Sequence, residues 1–258
     1  MSNDKKSIPS WLLALGNEPP PQALHVNGCR YQLEGTFKHD FFAFTGLYTG
    51  SSGKVVLKLG RTTYLLGLPA RWIGETLFKQ EVRLFRAGQD LPGIPRLVGT
   101  WGNTGLVHEY IEGRPLRKGD RPDDEFFPRL SALLDALHAR SIAYVDLEKP
   151  ENILLGDDGH PYLFDFQISW HIPPNRLGDT WVARAILSVL QESDRYHLMK
   201  HWRKLRSDQF EALGLSAAAR IPFWIRWHRA IFRPITLLRR QILVWMGVRD
   251  SIRVRSPG

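Results

Sequence analysis

The sequence predicts an α+β fold in two lobes, a small strand-rich lobe followed by a larger helical one. Three observations carry this. The first third is dense in β-branched and aromatic residues broken by glycine turns, a single helical pattern interrupts it, and helical patterns dominate beyond Arg114. Residues 1–28 read as a weakly ordered leader, set apart by the run Pro19-Pro20-Pro21. Tyr31–Gly60 reads as strands, with Gly50-Ser51-Ser52-Gly53 as a hairpin turn and Val55-Val56-Leu57 in the last strand. From Trp72 to Ala87 the apolar spacing of Ile73, Leu77, Val82 and Phe85 suits a helix, closed by Gly88 and stopped by Pro92. Arg96–Trp101 and Gly105–Ile111 fit two further strands. Phe126–Ala139 carries Leu130, Leu133, Leu134 and Leu137 on one helical face. Short strand-like pieces follow at Ser141–Val145, Ile153–Leu155 and Tyr162–Phe164, and after Thr180 the chain reads as helical. The expected organisation is therefore a strand-rich lobe over 29–112, a helical lobe over 113–202 and further helices over 203–258.

Composition narrows the class. The 258 residues are 43% apolar, with nine Trp and thirteen Phe that need a core to occupy, so disorder is excluded for the bulk. The single cysteine, Cys29, excludes an internal disulfide framework and a cysteine-rich zinc site, which fits a reducing, cytoplasmic setting. No apolar run approaches the eighteen or so residues of a spanning helix. The net charge of +9 is not spread evenly. Residues 203–258 hold 12 Lys and Arg against Asp208, Glu211 and Asp250, and the rest of the chain balances. An acidic partner is expected for that end alone.

The chemistry concentrates in Tyr144-Val145-Asp146-Leu147-Glu148-Lys149-Pro150-Glu151-Asn152, followed by Phe164-Asp165-Phe166. Asp146 and Asn152 sit on a loop between a helix and a short hairpin, and Asp165 follows where the hairpin ends. One candidate base and two hard oxygen ligands result, a set that suits Mg²⁺ held together with substrate phosphates. Upstream, Lys58 lies in an otherwise apolar strand, where a charge is costly unless paired. Glu81 on the next helix is its candidate partner. His108 reads as a packed aromatic.

These residues, in this order, resemble the protein-kinase-like superfamily over roughly residues 31–202. Val55-Val56-Leu57-Lys58 is similar to the family's lysine strand, Glu81 to its helix glutamate, and Leu106–Gly113 to the hinge between lobes. The resemblance implies that Lys58, oriented by Glu81, holds the α- and β-phosphates of ATP. It implies that Gly35 and Lys38 lie on the phosphate loop, and that the backbone around Glu109 and Tyr110 meets adenine. Asn152 and Asp165 would hold Mg²⁺, and Asp146 would take the proton of the acceptor hydroxyl. The departures are specific. Tyr144-Val145-Asp146 stands for H-R-D, one extra residue separates Asp146 from Asn152, and Gln167 replaces the glycine of D-F-G. Either Glu148 or Lys149 then takes the place beside the γ-phosphate. The phosphate loop is poor in glycine, no A-P-E follows, and only Ile168–Asp179 separates Asp165 from the next helix. Such short segments resemble the small bacterial lipopolysaccharide-core (Kdo/heptose) kinases and, second, RIO-type atypical kinases. The expected function is Mg-ATP-dependent phosphate transfer to a hydroxyl on a lipid-linked sugar or a protein serine or threonine. The alternative is a pseudokinase scaffold whose basic end docks an acidic partner.

That basic end interleaves aromatics with arginines over 221–246. Five arginines between 226 and 240, at about 2.5–3.5 kcal/mol each in a bilayer centre, exclude a spanning helix. Two readings stay open: helices of the second lobe with arginines on a solvated face, or an element lying at the inner face of an anionic membrane. Nucleic acid is not an expected partner, because no recognition module is visible.

Overall fold

The computed structural model describes residues 13–61, 71–173 and 180–215, with side chains of the first helix described from Glu75 onward. The segment 221–246 lies outside the described residues. A six-stranded antiparallel sheet forms the first lobe, from β1 (Ala23–Val26), β2 (Cys29–His39), β3 (Ala43–Gly50), β4 (Gly53–Gly60), β5 (Leu97–Trp101) and β6 (Gly105–Glu109), in the order β1-β2-β3-β4-β6-β5. One helix, α1 (Arg71–Gly88), crosses between β4 and β5 and packs on the sheet.

Both faces of this sheet are covered, which explains the near-continuous apolar run in β4. With side chains alternating along a strand, Val55, Leu57 and Leu59 point to one face and Val56 and Lys58 to the other. The first set joins Leu24, Phe44, Tyr48 and Val107 in the outer core. The second faces α1 and the second lobe. Lys58 is thus buried by register rather than by accident of packing.

The leader expected over 1–28 is corrected by the structure. From residue 13 onward the chain is built into the first lobe: β1 pairs antiparallel with β2, Ala14 and Leu24 are wholly buried, and Ala14 N–H donates to Asp40 O at 2.8 Å. The prolines end a turn that lays Leu15 on the outer core, and Tyr48 donates its hydroxyl to Pro21 O at 2.7 Å. A proline run read as a separator serves instead as an edge.

The second lobe is built on α2 (Phe126–Ala139), which buries Phe126, Phe127, Leu130, Leu133, Leu134 and Leu137 on the predicted face. Small sheets flank it. β7 (Gly113–Pro115), β9 (Ile153–Gly156) and β10 (Pro161–Leu163) form one, and β8 (Ile142–Ala143) with β11 (Trp170–His171) the other. β7 was not legible in the sequence. Its Gly113 has φ +154, and a Cβ there would collide with the Leu155 carbonyl of β9, so only glycine fits where the chain passes from one lobe to the next. α3 (Trp181–Leu205) and α4 (Ser207–Ala212) complete the described chain. Thr180 caps α3, accepting from Ala183 N–H at 3.2 Å. Arg206, at the α3–α4 corner, donates to Pro122 O at 2.8 Å and pairs with Asp124 and Asp208, tying that corner to the entry of α2.

The largest core cluster runs through both lobes. It takes Val82, Leu84 and Phe85 from α1, Leu106 from β6 and the apolar face of α2. Arg140 adds a polar tie, forking onto Asp90 at 2.6 and 2.7 Å and donating to Ala87 O. The two lobes therefore meet across a packed seam.

Candidate active site

Three elements far apart in the chain converge on one ammonium. Lys58 Nζ on β4 lies 2.7 Å from Glu81 Oε1 on α1 and 2.7 Å from Asp165 Oδ1, just beyond β10. Glu81 is itself buried and also accepts from Phe166 N–H at 3.2 Å. Burial alone would discharge Lys58, but the two carboxylates outweigh it and raise its pKa. Burial likewise works against Asp165, yet Lys58 holds its carboxyl below the usual range. Glu81 is pushed up by burial, with Lys58 pulling against that shift. The lysine that looked costly in sequence is thus charged and doubly paired. Removing one member of such a buried set costs about 3–5 kcal/mol, because a charge is left uncompensated.

The catalytic-loop candidates lie together as well. Asp146 opens a single 3₁₀ turn (Asp146–Glu148), and Asn152 closes a second (Pro150–Asn152). These two turns absorb the extra residue. Lys149, extended between them and exposed like Glu148, folds back to put Nζ 2.7 Å from Asp146 Oδ2. Between the two alternatives left by the sequence, Lys149 is the residue at the aspartate. Asn152 Nδ2 donates to the same Oδ2 at 2.7 Å and to Asp146 O at 3.2 Å. With its amide hydrogens engaged there, Asn152 turns its carbonyl oxygen to other partners.

Val145, which stands where the family has arginine, adopts φ 70 and ψ −39. Asp146 N–H donates to Tyr144 O at 2.9 Å, so Val145 is the centre of a tight three-residue turn that β-branched residues rarely adopt. Asp194 of α3 holds it in place. This carboxylate is wholly buried and accepts from Tyr144 N–H at 2.7 Å, Val145 N–H at 2.8 Å and His138 Nε2 at 3.2 Å. Sequence reasoning did not assign Asp194 or His138 a role. The available signal was a carboxylate at a core position of a helix, in step with Leu187, Leu190 and Leu198.

Tyr144 joins the metal-ligand candidates. Its hydroxyl donates to Phe164 O and lies 3.3 Å from Asn152 O, so one phenol oxygen reaches the backbone of Asn152 and of the residue before Asp165. The ring meets Phe166 edge-on at 5.3 Å. Phe166 meets Phe85 at 5.3 Å, and Phe85 stacks on His108 at 5.4 Å. This aromatic column links the loop of Asp146 to the sheet of Lys58 through α1. His108 packs as the sequence predicted. Burial lowers its pKa to about 4, with nearby Lys58 acting in the same direction.

A pH dependence follows from that shift. Between about pH 6.5 and 4 the unfolded chain takes up a proton at His108 that the folded chain refuses, so stability falls as pH drops through this window. Urea midpoints measured across it should fall less steeply in His108→Phe than in the wild type. Parallel curves would show that His108 is not held neutral.

The remaining predicted residues are placed as follows. Gly35 lies at an irregularity in β2, and a Cβ there would meet nothing within 4 Å, leaving room for a ligand backbone or phosphate to approach. Lys38 pairs with Asp40 at 2.6 Å and is mostly exposed. The β2–β3 turn is tied down by Asp40, which accepts from the amides of Phe42 and Ala43, and by Arg61 stacked over Phe41 at 4.2 Å. Side-chain tethers thus hold the loop that the sequence shows to be poor in glycine. In the hinge, Glu109 N–H donates to Arg96 O and Tyr110 N–H to Lys54 O, so both amides serve the sheet edge. Tyr110 presents its ring, stacked on Phe37 at 6.0 Å.

The donor set fits Mg²⁺. Asp165 has one oxygen on Lys58 and a second to give, Asn152 has a carbonyl oxygen, and hard oxygen ligands are what this ion takes. Among the described residues no cluster of three or more His, Cys, Asp or Glu side chains could enclose a metal alone. Phosphate oxygens would complete the coordination.

Several curated protein kinases are similar to this chain. It is 30% identical over 166 residues to the human cAMP-dependent protein kinase catalytic subunit PRKX, covering 57% of this chain and 45% of that protein. Over about half its length the chain is similar to serine/threonine protein kinases. It is 32% identical over 152 residues to cAMP-dependent protein kinase type 3 of Saccharomyces cerevisiae, covering 52% of this chain and 38% of that one. Aurora kinase A-A of Xenopus laevis is 33% identical over 96 residues, covering 33% and 23%. The chain spans less than half the length of these three kinases. No protein-family model matches it. The α+β, protein-kinase-like fold predicted from the sequence is the fold observed. No helix among the described residues is long and apolar enough to cross a membrane.

Proposed function

We propose that the protein is a Mg-ATP-dependent phosphotransferase that moves the γ-phosphate to an acceptor hydroxyl. The observation that carries this is the convergence of Lys58, Glu81 and Asp165, from three separate elements, on contacts of 2.7 Å. Chance surface pairing does not bury an ammonium between two carboxylates 23 and 107 residues away in the chain. Lys58 would hold the α- and β-phosphates, preset by Glu81. Asp165 and Asn152 would hold Mg²⁺, which when bound neutralises the triphosphate and orients its γ-phosphoryl. Asp146 would accept the acceptor's proton, and Lys149 lies beside it to face the transferring group. Along the hinge, the backbone around Glu109 and Tyr110 would meet the base, as the resemblance implies.

Two acceptor classes divide the finer reading. A protein serine or threonine is supported by the kinases this chain matches. A lipid-linked sugar at the inner membrane face is supported by the likeness of the short segment after Asp165 to small lipopolysaccharide-core kinases, and by the basic, aromatic stretch 221–246. The protein acceptor is the reading favoured, because the matched relatives share it.

Labelled phosphate from ATP, offered with cell fractions and the full chain, is the test. Label is expected in protein, only with Mg²⁺, and Asp165→Ala is expected to weaken Mg²⁺-dependent nucleotide binding by at least about tenfold. Label in the lipid fraction would transfer the reading to the lipid-linked acceptor. Nucleotide binding untouched by Asp165→Ala would remove that residue from the metal site.

A further inference from the structure

α3 carries a buried histidine that the phosphate-transfer roles above leave without a task. His201 is buried, and its Nε2 lies 2.8 Å from Leu147 O, the carbonyl of the residue after Asp146. A carbonyl oxygen only accepts, so Nε2 carries the hydrogen. Burial lowers the pKa of the ring. The Leu147 contact and Glu148 oppose that shift, Lys200 and Lys204 add to it, and the imidazole is neutral.

The loop itself creates the need for this donor. In a 3₁₀ turn a carbonyl is met by the N–H three residues further on, and for Leu147 that residue is Pro150, which has none. Leu147 is wholly buried, so its carbonyl takes a protein donor in place of water. Asp194 and His201 lie two turns apart on one face of α3, about 10 Å along its axis. That face grips the loop on both sides of Asp146. Asp194 accepts from the amides of Tyr144 and Val145 before it, and His201 donates to the carbonyl after it. Gln191, one turn earlier, holds the start of the same stretch by donating to His138 O at 3.0 Å. Held by Asp194 alone, the turn could pivot at Val145. A second anchor fixes the direction in which Asp146 leaves it.

We propose that His201 is a positioning residue for phosphate transfer: its hydrogen bond to the Leu147 carbonyl holds the turn that aims Asp146 at the acceptor hydroxyl. The inference rests on the phosphotransferase reading above. His201 touches no substrate in that reading and acts only through the backbone of the loop. Misplacing a reacting group by about 1 Å can slow a reaction about 10²-fold, so the loss of one anchor registers in turnover. The contacts of Lys58, Glu81 and Asp165 run elsewhere, so nucleotide affinity is not expected to follow.

The test sets transfer of labelled phosphate from Mg-ATP into a cell extract beside equilibrium binding of Mg-ATP, both with the full chain. His201→Phe keeps a ring and loses the donor. Its turnover at saturating ATP is expected to fall about 10- to 100-fold, with ATP affinity within about twofold of wild type. His201→Gln, whose amide nitrogen reaches as far as Nε2 and donates, is expected to recover most of the rate. His201→Asn is one bond shorter and is not. A merely structural role would lower rate and ATP affinity together and would not separate the last two variants. Unchanged turnover in His201→Phe, or equal turnover in His201→Gln and His201→Asn, would overturn the inference and leave the phosphotransferase reading standing. Should His201→Phe not fold, the comparison of His201→Gln with His201→Asn decides. Hydrogen on Nδ1 rather than Nε2 in the ¹⁵N spectrum of the wild-type ring would also overturn it. A wild-type chain that moves no phosphate from Mg-ATP would overturn the phosphotransferase reading, and this inference with it.

Discussion

Replacing Asp146 by alanine is expected to reduce phosphate transfer by about 10²–10⁴-fold while leaving ATP affinity within about twofold of wild type. The split follows from where the carboxylate's contacts end. Lys149 and Asn152 both donate to Oδ2 at 2.7 Å, so Oδ1 is left clear of them to take the proton of an incoming hydroxyl. Lys58, Glu81 and Asp165 do not touch Asp146, so the triphosphate site is expected to persist without it. Single-turnover transfer and equilibrium ATP binding, measured on the same preparation, check the two halves. A loss of turnover of only a few-fold would mean that Asp146 is not the proton acceptor, and a parallel loss of ATP binding would make its role structural.

The second large effect is expected from a residue that touches no substrate. Asp194→Ala removes the acceptor for two amides of the catalytic loop, Tyr144 N–H and Val145 N–H, and for His138. Each buried amide left without a partner costs about 1–3 kcal/mol, and Val145 loses the restraint that holds a β-branched residue at φ 70. A total loss of about 3–5 kcal/mol is expected in urea unfolding, in line with breaking a buried ionic network. Turnover should fall as well, since Asp146 is the next residue along. Asp194→Asn retains one acceptor oxygen and should lie between the two. Loss below about 1 kcal/mol in Asp194→Ala would show that the loop keeps its shape without this anchor.

The two residues differ in how far the sequence revealed them. Asp146 stands out because its order and spacing with Asn152 and Asp165 resemble those of the protein-kinase-like superfamily, and the three residue types supply one base and two oxygen ligands. Asp194 has no such neighbours in the chain. Its partners are backbone amides 50 and 49 residues away, and a backbone amide leaves no mark on the sequence. The same holds for Gly113, whose need for glycine comes from the Leu155 carbonyl of a distant strand. The leader was misread for a related reason. Pro19-Pro20-Pro21 signals a break in regular structure, but only the third dimension shows that Leu15 and Leu24 on either side land on the outer core.

Periodicity and local chemistry, which act over a few residues, marked out β2 to β6 of the first lobe and the helices around Glu81 and Leu134, and a family resemblance singled out Lys58, Glu81, Asp146, Asn152 and Asp165 as a set. Tertiary structure alone decided that Lys149 rather than Glu148 faces Asp146, that Asp194 holds the loop, and that His108 stacks on Phe85. The division has a physical cause. Side-chain type and spacing are written along the chain, whereas burial, tautomer and the pairing of a charge depend on atoms that folding alone brings within 3 Å or so of one another.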